Sequence, residues 1–188
     1  MALKRIFIAV DISAEARRIV AAYIDQLRSQ FEDVRAGWEK AEKLHFTVRF
    51  LGNVEKERIA DIEKSVADVC SAHEPFEAEI AGSGVFPNAR EPRILWLGLG
   101  DALDEMVSLG RDVNLALDGL GSQREPRDYV PHLTIARVRE PRKAGALGVT
   151  HVNANFATVR FRVGHLTLYE SVLSPAGSTY QVISRVQL

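Results

Sequence analysis

Apolar residues fall into short strand-like blocks separated by stretches of helical spacing. Residues 4–10 (KRIFIAV) are β-branched and aromatic and predict a buried strand. Ser13 follows as a helix N-cap, and Ala16, Ile19, Val20, Tyr23, Ile24, Leu27 and Phe31 then recur on one helical face. Residues 34–38 predict a short strand and residues 44–51 (LHFTVRFL) a clearer one. Gly52-Asn53 should end it, with Asn53 capping a second helix that carries Ile59, Ile62, Val66 and Val69. Residues 76–80 alternate, Gly82-Ser83-Gly84 interrupts, and Phe86-Pro87-Asn88 opens a loop. Residues 93–99 (RILWLGL) predict another buried strand, and Leu103, Met106, Val107, Val113, Leu117 and Leu120 a third helix. The polar GSQREPRDY leads into the strand VPHLTIARV and the basic loop REPRKAG. Residues 159–163, 165–169 and 180–186 close the chain as antiparallel strands. Sparse helices between adjoining strands predict an α+β fold with mostly antiparallel sheet. No Pro- or Ser-rich linker divides residues 1–188, which read as one domain.

With 46% hydrophobic residues over 188 positions, the chain can bury a sizeable core, which excludes a disordered or disulfide-stapled chain. Twenty-four basic against 25 acidic residues exclude a protein that coats duplex DNA by charge, so any nucleic-acid contact must be local. Residues 124–143 hold six basic residues (Arg124, Arg127, Arg137, Arg139, Arg142, Lys143) against Glu125, Asp128 and Glu140. That local excess suits an approaching RNA backbone or simply a solvated loop. The single cysteine, Cys70, lies in an apolar stretch, reads as a buried hydrophobe and makes no intramolecular disulfide. Trp38 and Trp96 read as core residues. The N-terminal apolar run is too short for a signal-peptide core, and no run approaches a membrane span, so the expectation is a soluble cytoplasmic protein without a membrane partner.

The chemistry-bearing pattern is His-x-Thr. Five histidines and six threonines predict about a sixth of one such pair by chance. Three occur, at His45-Phe46-Thr47, His132-Leu133-Thr134 and His165-Leu166-Thr167. In a strand, positions i and i+2 share a face, so each imidazole projects beside a hydroxyl while the intervening residue turns to the core. Two such strands set together would present two imidazoles across one cleft. One neutral imidazole can then take a proton from an attacking oxygen while one imidazolium protonates a leaving oxygen, which suits phosphodiester cleavage. Five residues after each histidine stand Phe50, Arg137 and Glu170. Arg137 suits phosphate and Phe50 a nucleobase. Glu170 would repel phosphate, so the third copy reads as a structural near-match. Phe50 and Arg137 have the wrong parity for the cleft unless each strand bulges or ends there. Arg49 shares the His45 face in a regular strand and either steers phosphate or sits solvated; Arg127 and Tyr129 either line the cleft or shape the loop. Histidine spacing shows no metal-ligand pattern, so no metal and no cofactor is expected.

These motifs resemble the two-histidine (2H) phosphoesterase superfamily, and within it the RNA 2′,3′-cyclic phosphodiesterase (2′-5′ RNA ligase) family. The resemblance spans RIFIAVDIS, LHFTVRFLGNV, PRILWLGL, PHLTIARV and LTLYESVLSPAGSTYQVI. It implies a bilobal fold, with two pseudo-symmetric, mostly antiparallel sheets around a central cleft and helices outside. It also implies metal-independent hydrolysis of RNA 2′,3′-cyclic phosphate ends to 2′-phosphates by a monomer. His45 would be the general acid toward O3′ and His132 the general base toward water. Thr47, Thr134 and Arg137 would hold the phosphate, and Phe50 would stack on the terminal base. Alternatives are action on small cyclic nucleotides, 2′-5′ joining of RNA ends, and a binding module without turnover.

Overall fold

The computed structural model describes residues 2–121, 129–175 and 177–188. Strand β1 (Leu3–Asp11) leads into helix α1 (Ala14–Gln30), whose N-cap Ser13 accepts a hydrogen bond from the Ala16 amide. The apolar face of α1 buries Ala16, Val20, Ile24 and Leu27 at the spacing its sequence predicts. Then come β2 (Ala36–Trp38), β3 (His45–Glu55), α2 (Ile59–Cys70), β4 (Phe76–Phe86), β5 (Ile94–Leu99), α3 (Leu103–Ala116) and β6 (Leu133–Val138). Helix α4 (Gly145–Val152) and strands β7 (Val159–Val163), β8 (His165–Ser174) and β9 (Gly177–Gln187) complete the order.

Among the described residues the strands form one nine-stranded sheet, ordered β7-β4-β5-β6-β3-β1-β8-β9, with β2 also on β6. All pairings are antiparallel, as the alternating blocks predict. The two expected lobes are its halves, β7-β4-β5-β6 and β3-β1-β8-β9. They join at one residue pair, Phe46 opposite Leu133, both fully buried. Beyond that seam, β6 passes its edge from β3 to β2, which pairs with Ala136–Val138. Helices α2 and α3 pack together, α2 on β8 and β9 and α3 on β3, while α1 lies against β7 and α4 against β4. Their inner faces merge with the back of the sheet into one apolar cluster that includes Ile6, Ile8, Phe46, Leu97, Leu133 and Leu166.

Local readings change where pairing overrides turn chemistry. β3 runs past Gly52-Asn53 to Glu55 because β1 continues to pair with it, and α2 starts at Ile59 with Arg58, not Asn53, at its cap. The Gly82 interruption is a bulge inside one strand: its φ of 70° lets β4 skip a residue against β5 and continue to Phe86. Helix α4 was absent from the sequence pattern because its glycines and lone histidine mask a short apolar face; Gly148 is required there, since a Cβ would come within 2.4 Å of the Ala89 carbonyl oxygen. Cys70 is fully buried, and burial pushes its thiol up to about 11.

Candidate active site

The Phe46–Leu133 pair sets the site. Continuing that register one residue either way places His45 opposite Thr134 and Thr47 opposite His132. The two histidines are then diagonal neighbours across the seam, for which strand geometry gives about 7–8 Å. Phe46 and Leu133 are sealed in the core, so all four polar side chains take the other, partly open face.

Both motif strands carry the bulge that Phe50 and Arg137 need. Against β1, Thr47 pairs with Ala9 but Arg49 with Ile8, leaving Val48 extra. Against β5, Thr134 pairs with Trp96 but Ala136 with Leu95, leaving Ile135 extra. Each extra residue stands three after its histidine, and both strands show the same run of burial from the histidine onward. The parity flip returns Phe50 and Arg137 to the face of the imidazoles, exposed, while Arg49 and Ala136 turn inward. Arg49 is therefore no phosphate-steering residue: it is 4% exposed and donates to Asn114 Oδ1 of α3 at 3.0 Å. β8 pairs with β1 without a bulge, so Glu170 faces away and meets Lys4.

Each imidazole is aimed by the same device. His45 Nδ1 lies 2.6 Å from the Lys43 carbonyl, and His132 Nδ1 lies 2.8 Å from the Val130 carbonyl. A carbonyl only accepts, so both Nδ1 atoms carry the proton and both Nε2 atoms are left for chemistry. Thr47 Oγ1 sits 3.0 Å from His45 Nε2 and donates to it while the ring is neutral. His45 is caged by Phe7, Tyr169 and Tyr180, and His132 is backed by Phe86 and Trp96. Trp96 is thus not the core residue expected but lines the open face. Gly84 makes that possible, because a Cβ there would fall 2.1 Å from the indole. The Tyr129 ring lies against Gly110 of α3. Arg124 and Arg127 lie outside the described residues.

Burial lowers the proton affinity of His45 to about 4; the Lys43 carbonyl and Asp11 oppose the shift, and Arg17 and Arg137 add to it. Glu39 stands 3.7 Å from the Arg137 Nε; burial raises its pKa against the pull of Arg137 and Lys43. Arg5 lies over the Phe50 ring at 4.7 Å. Sequence reasoning missed the flanking groups Phe7, Asp11, Glu39, Tyr169 and Tyr180; the i, i+2 spacing of Phe7, Ala9 and Asp11 in β1 was the available signal. Among the described residues no three His, Cys, Asp or Glu side chains gather to hold a metal ion, and no helix is long and apolar enough to cross a membrane.

Comparison with known proteins agrees with this architecture. The family model of the 2′-5′ RNA ligase superfamily matches residues 16–174. A Methanothermobacter thermautotrophicus protein named RNA 2′,3′-cyclic phosphodiesterase is 37% identical over 94% of each chain. One of the same name from Methanocaldococcus jannaschii is 30% identical over 95% of this chain and 98% of its own. Among solved structures, E. coli LigT complexed with 3′-AMP superposes with a TM-score of 0.75 at 22% identity, covering 100% of this chain and 99% of its own. TT0787 of Thermus thermophilus gives the same score over 98% and 97%. Motifs, register and relatives together place the chain in the 2′-5′ RNA ligase superfamily of two-histidine phosphoesterases.

Proposed function

We propose that this protein is a phosphoric diester hydrolase that opens the 2′,3′-cyclic phosphate at an RNA end to leave a 2′-phosphate, with no metal ion, residues 1–188 acting as one bilobal unit. The names of the relatives support the substrate class. The register at Phe46–Leu133 supports the mechanism, because it makes the two histidines diagonal neighbours with a threonine beside each on the same face of the sheet. His132 Nε2 takes a proton from water as the water oxygen attacks phosphorus. The P–O3′ bond breaks, and O3′ takes the proton from His45 Nε2. Thr47, Thr134 and Arg137 stabilise charge on the non-bridging oxygens, and Phe50 stacks on the terminal base. The bound phosphodiester anion also raises the proton affinity of His45, so the acid is charged when substrate is present.

One observation favours the exchanged roles: with its affinity lowered to about 4, His45 is neutral in the free protein, as a base must be. An aryl phosphodiester with a p-nitrophenolate leaving group separates the two, since that group needs no acid. With His45 as acid, His45→Ala loses about 10²–10⁴-fold on the cyclic phosphate but far less on the aryl ester, whereas His132→Ala loses on both. The reverse pattern exchanges the assignments.

A further inference from the structure

The third His-x-Thr, on β8, lies beside the site and not apart from it. β1 pairs Asp11 with His45 on one side, and β8 reaches the same carboxylate from the other. Thr167, fully buried, donates to Asp11 Oδ2 at 2.8 Å, and the Tyr169 hydroxyl donates to Oδ1 at 2.6 Å. His165 Nε2 stands 3.5 Å from the same carboxylate, Arg17 NH2 3.4 Å and Arg185 Nε 3.9 Å. Burial works against the charge of Asp11, but the hydroxyls of Tyr169 and Thr167 with Arg17 hold it below the usual carboxylate range. Such a clamp fixes a permanent negative charge directly across the strand from His45.

We infer that Asp11, held by Thr167 and Tyr169, is a positioning residue that favours the protonated form of His45 in the occupied site by opposing the cations around it. The inference rests on the proposed role of His45 as acid. Among the described residues, the charged and titratable groups beside that ring or beside Asp11 are Asp11 itself from β1, Arg17 from α1, Lys43 before β3, Arg137 and His132 across the seam, Tyr169 and His165 from β8, and Tyr180 and Arg185 from β9. Among the described residues Glu39 is a second carboxylate in this region, and its charge is engaged by Arg137 and Lys43. Without Asp11, Arg17 would stand unopposed near the imidazole. Asp11 also anchors Tyr169, whose ring stacks on Phe7 at 5.1 Å and so steadies the cage around His45.

The test is the titration of the His45 ring, followed by NMR in the folded protein saturated with inorganic phosphate, whose charge raises the starting value. Asp11→Asn should move it to lower pH by about one unit or more. Arg17→Gln should move it the opposite way, and Asp11→Glu should restore most of the wild-type value. Opposite signs are not produced by loosening the fold. Paired rate measurements should show a loss in Asp11→Asn of about tenfold per unit at pH 7 that shrinks as pH falls, with KM little changed. An unmoved titration in Asp11→Asn, or shifts of the same sign in both variants, overturns the inference. A shifted titration with unchanged rates supports the placement of Asp11 and instead removes His45 from the acid role.

Discussion

A half-enclosed imidazole proposed to give up a proton is a problem in electrostatics before it is one of mechanism. His45 loses solvent on a face built from Phe7, Tyr169 and Tyr180, and the same rings give it one orientation. An anion in the cleft reverses the penalty, so inorganic phosphate should raise the titration of His45 from about 4 by one unit or more, read by NMR; an unchanged value would mean phosphate binds elsewhere. Thr47→Ala should slow hydrolysis less than His45→Ala, because water can replace one hydroxyl. Arg49 makes the complementary case. Arg49→Ala leaves the Asn114 Oδ1 of α3 without its Arg49 donor, which costs about 1–3 kcal/mol, seen as a lower melting temperature with the reaction chemistry retained. Loss of turnover at unchanged stability would return Arg49 to the site.

At the scale of elements, two bulges decide what the motif means. Histidine and threonine two apart were legible in the sequence because strand alternation alone puts them on one face. The fifth position was not, since parity sends it to the core unless a residue is inserted, and Val48 and Ile135 look like ordinary core aliphatics. Pairing partners reveal the insertion, through Ile8–Ala9 on one side and Leu95–Trp96 on the other. The third copy pairs with β1 without a bulge, so its fifth residue stays off the imidazole face while Thr167 holds Asp11. Gly84 belongs here too. Gly84→Ala drives a methyl into the Trp96 ring, which must move from behind His132; about 1–3 kcal/mol of stability and part of kcat should be lost together, by melting and steady-state assay. Helix α4 is tied in by a fully buried histidine: His151 Nδ1 meets the Tyr23 hydroxyl of α1 at 2.8 Å and Nε2 the Trp96 carbonyl at 3.0 Å.

For the whole molecule, the two halves of the sheet meet at the seam that also carries the candidate site, so stability and activity share groups. Burial holds His151 and His45 below their ordinary 6.5. The unfolded chain therefore takes up protons first as pH falls, and stability, full above 6.5, should decline from there toward 4. Asp11, depressed below 3.8, adds a further loss only in stronger acid. A melting temperature flat from pH 7 to 4 would contradict the desolvation of both rings. The α+β class, the antiparallel pairing and the two-lobed plan could be read from residue order and resemblance. The joining of the lobes into one sheet could not, because a single pair at Phe46 and Leu133 leaves no mark in either strand's pattern.

The central claim is that two imidazoles on either side of that seam cut one phosphodiester. Single-turnover hydrolysis of an oligonucleotide ending in a 2′,3′-cyclic phosphate, in EDTA, tests it most directly. Wild-type protein should yield the 2′-phosphate, and His45→Ala and His132→Ala should each be slower by about 10²–10⁴-fold. A 3′-phosphate product, or either variant working near the wild-type rate, would contradict it.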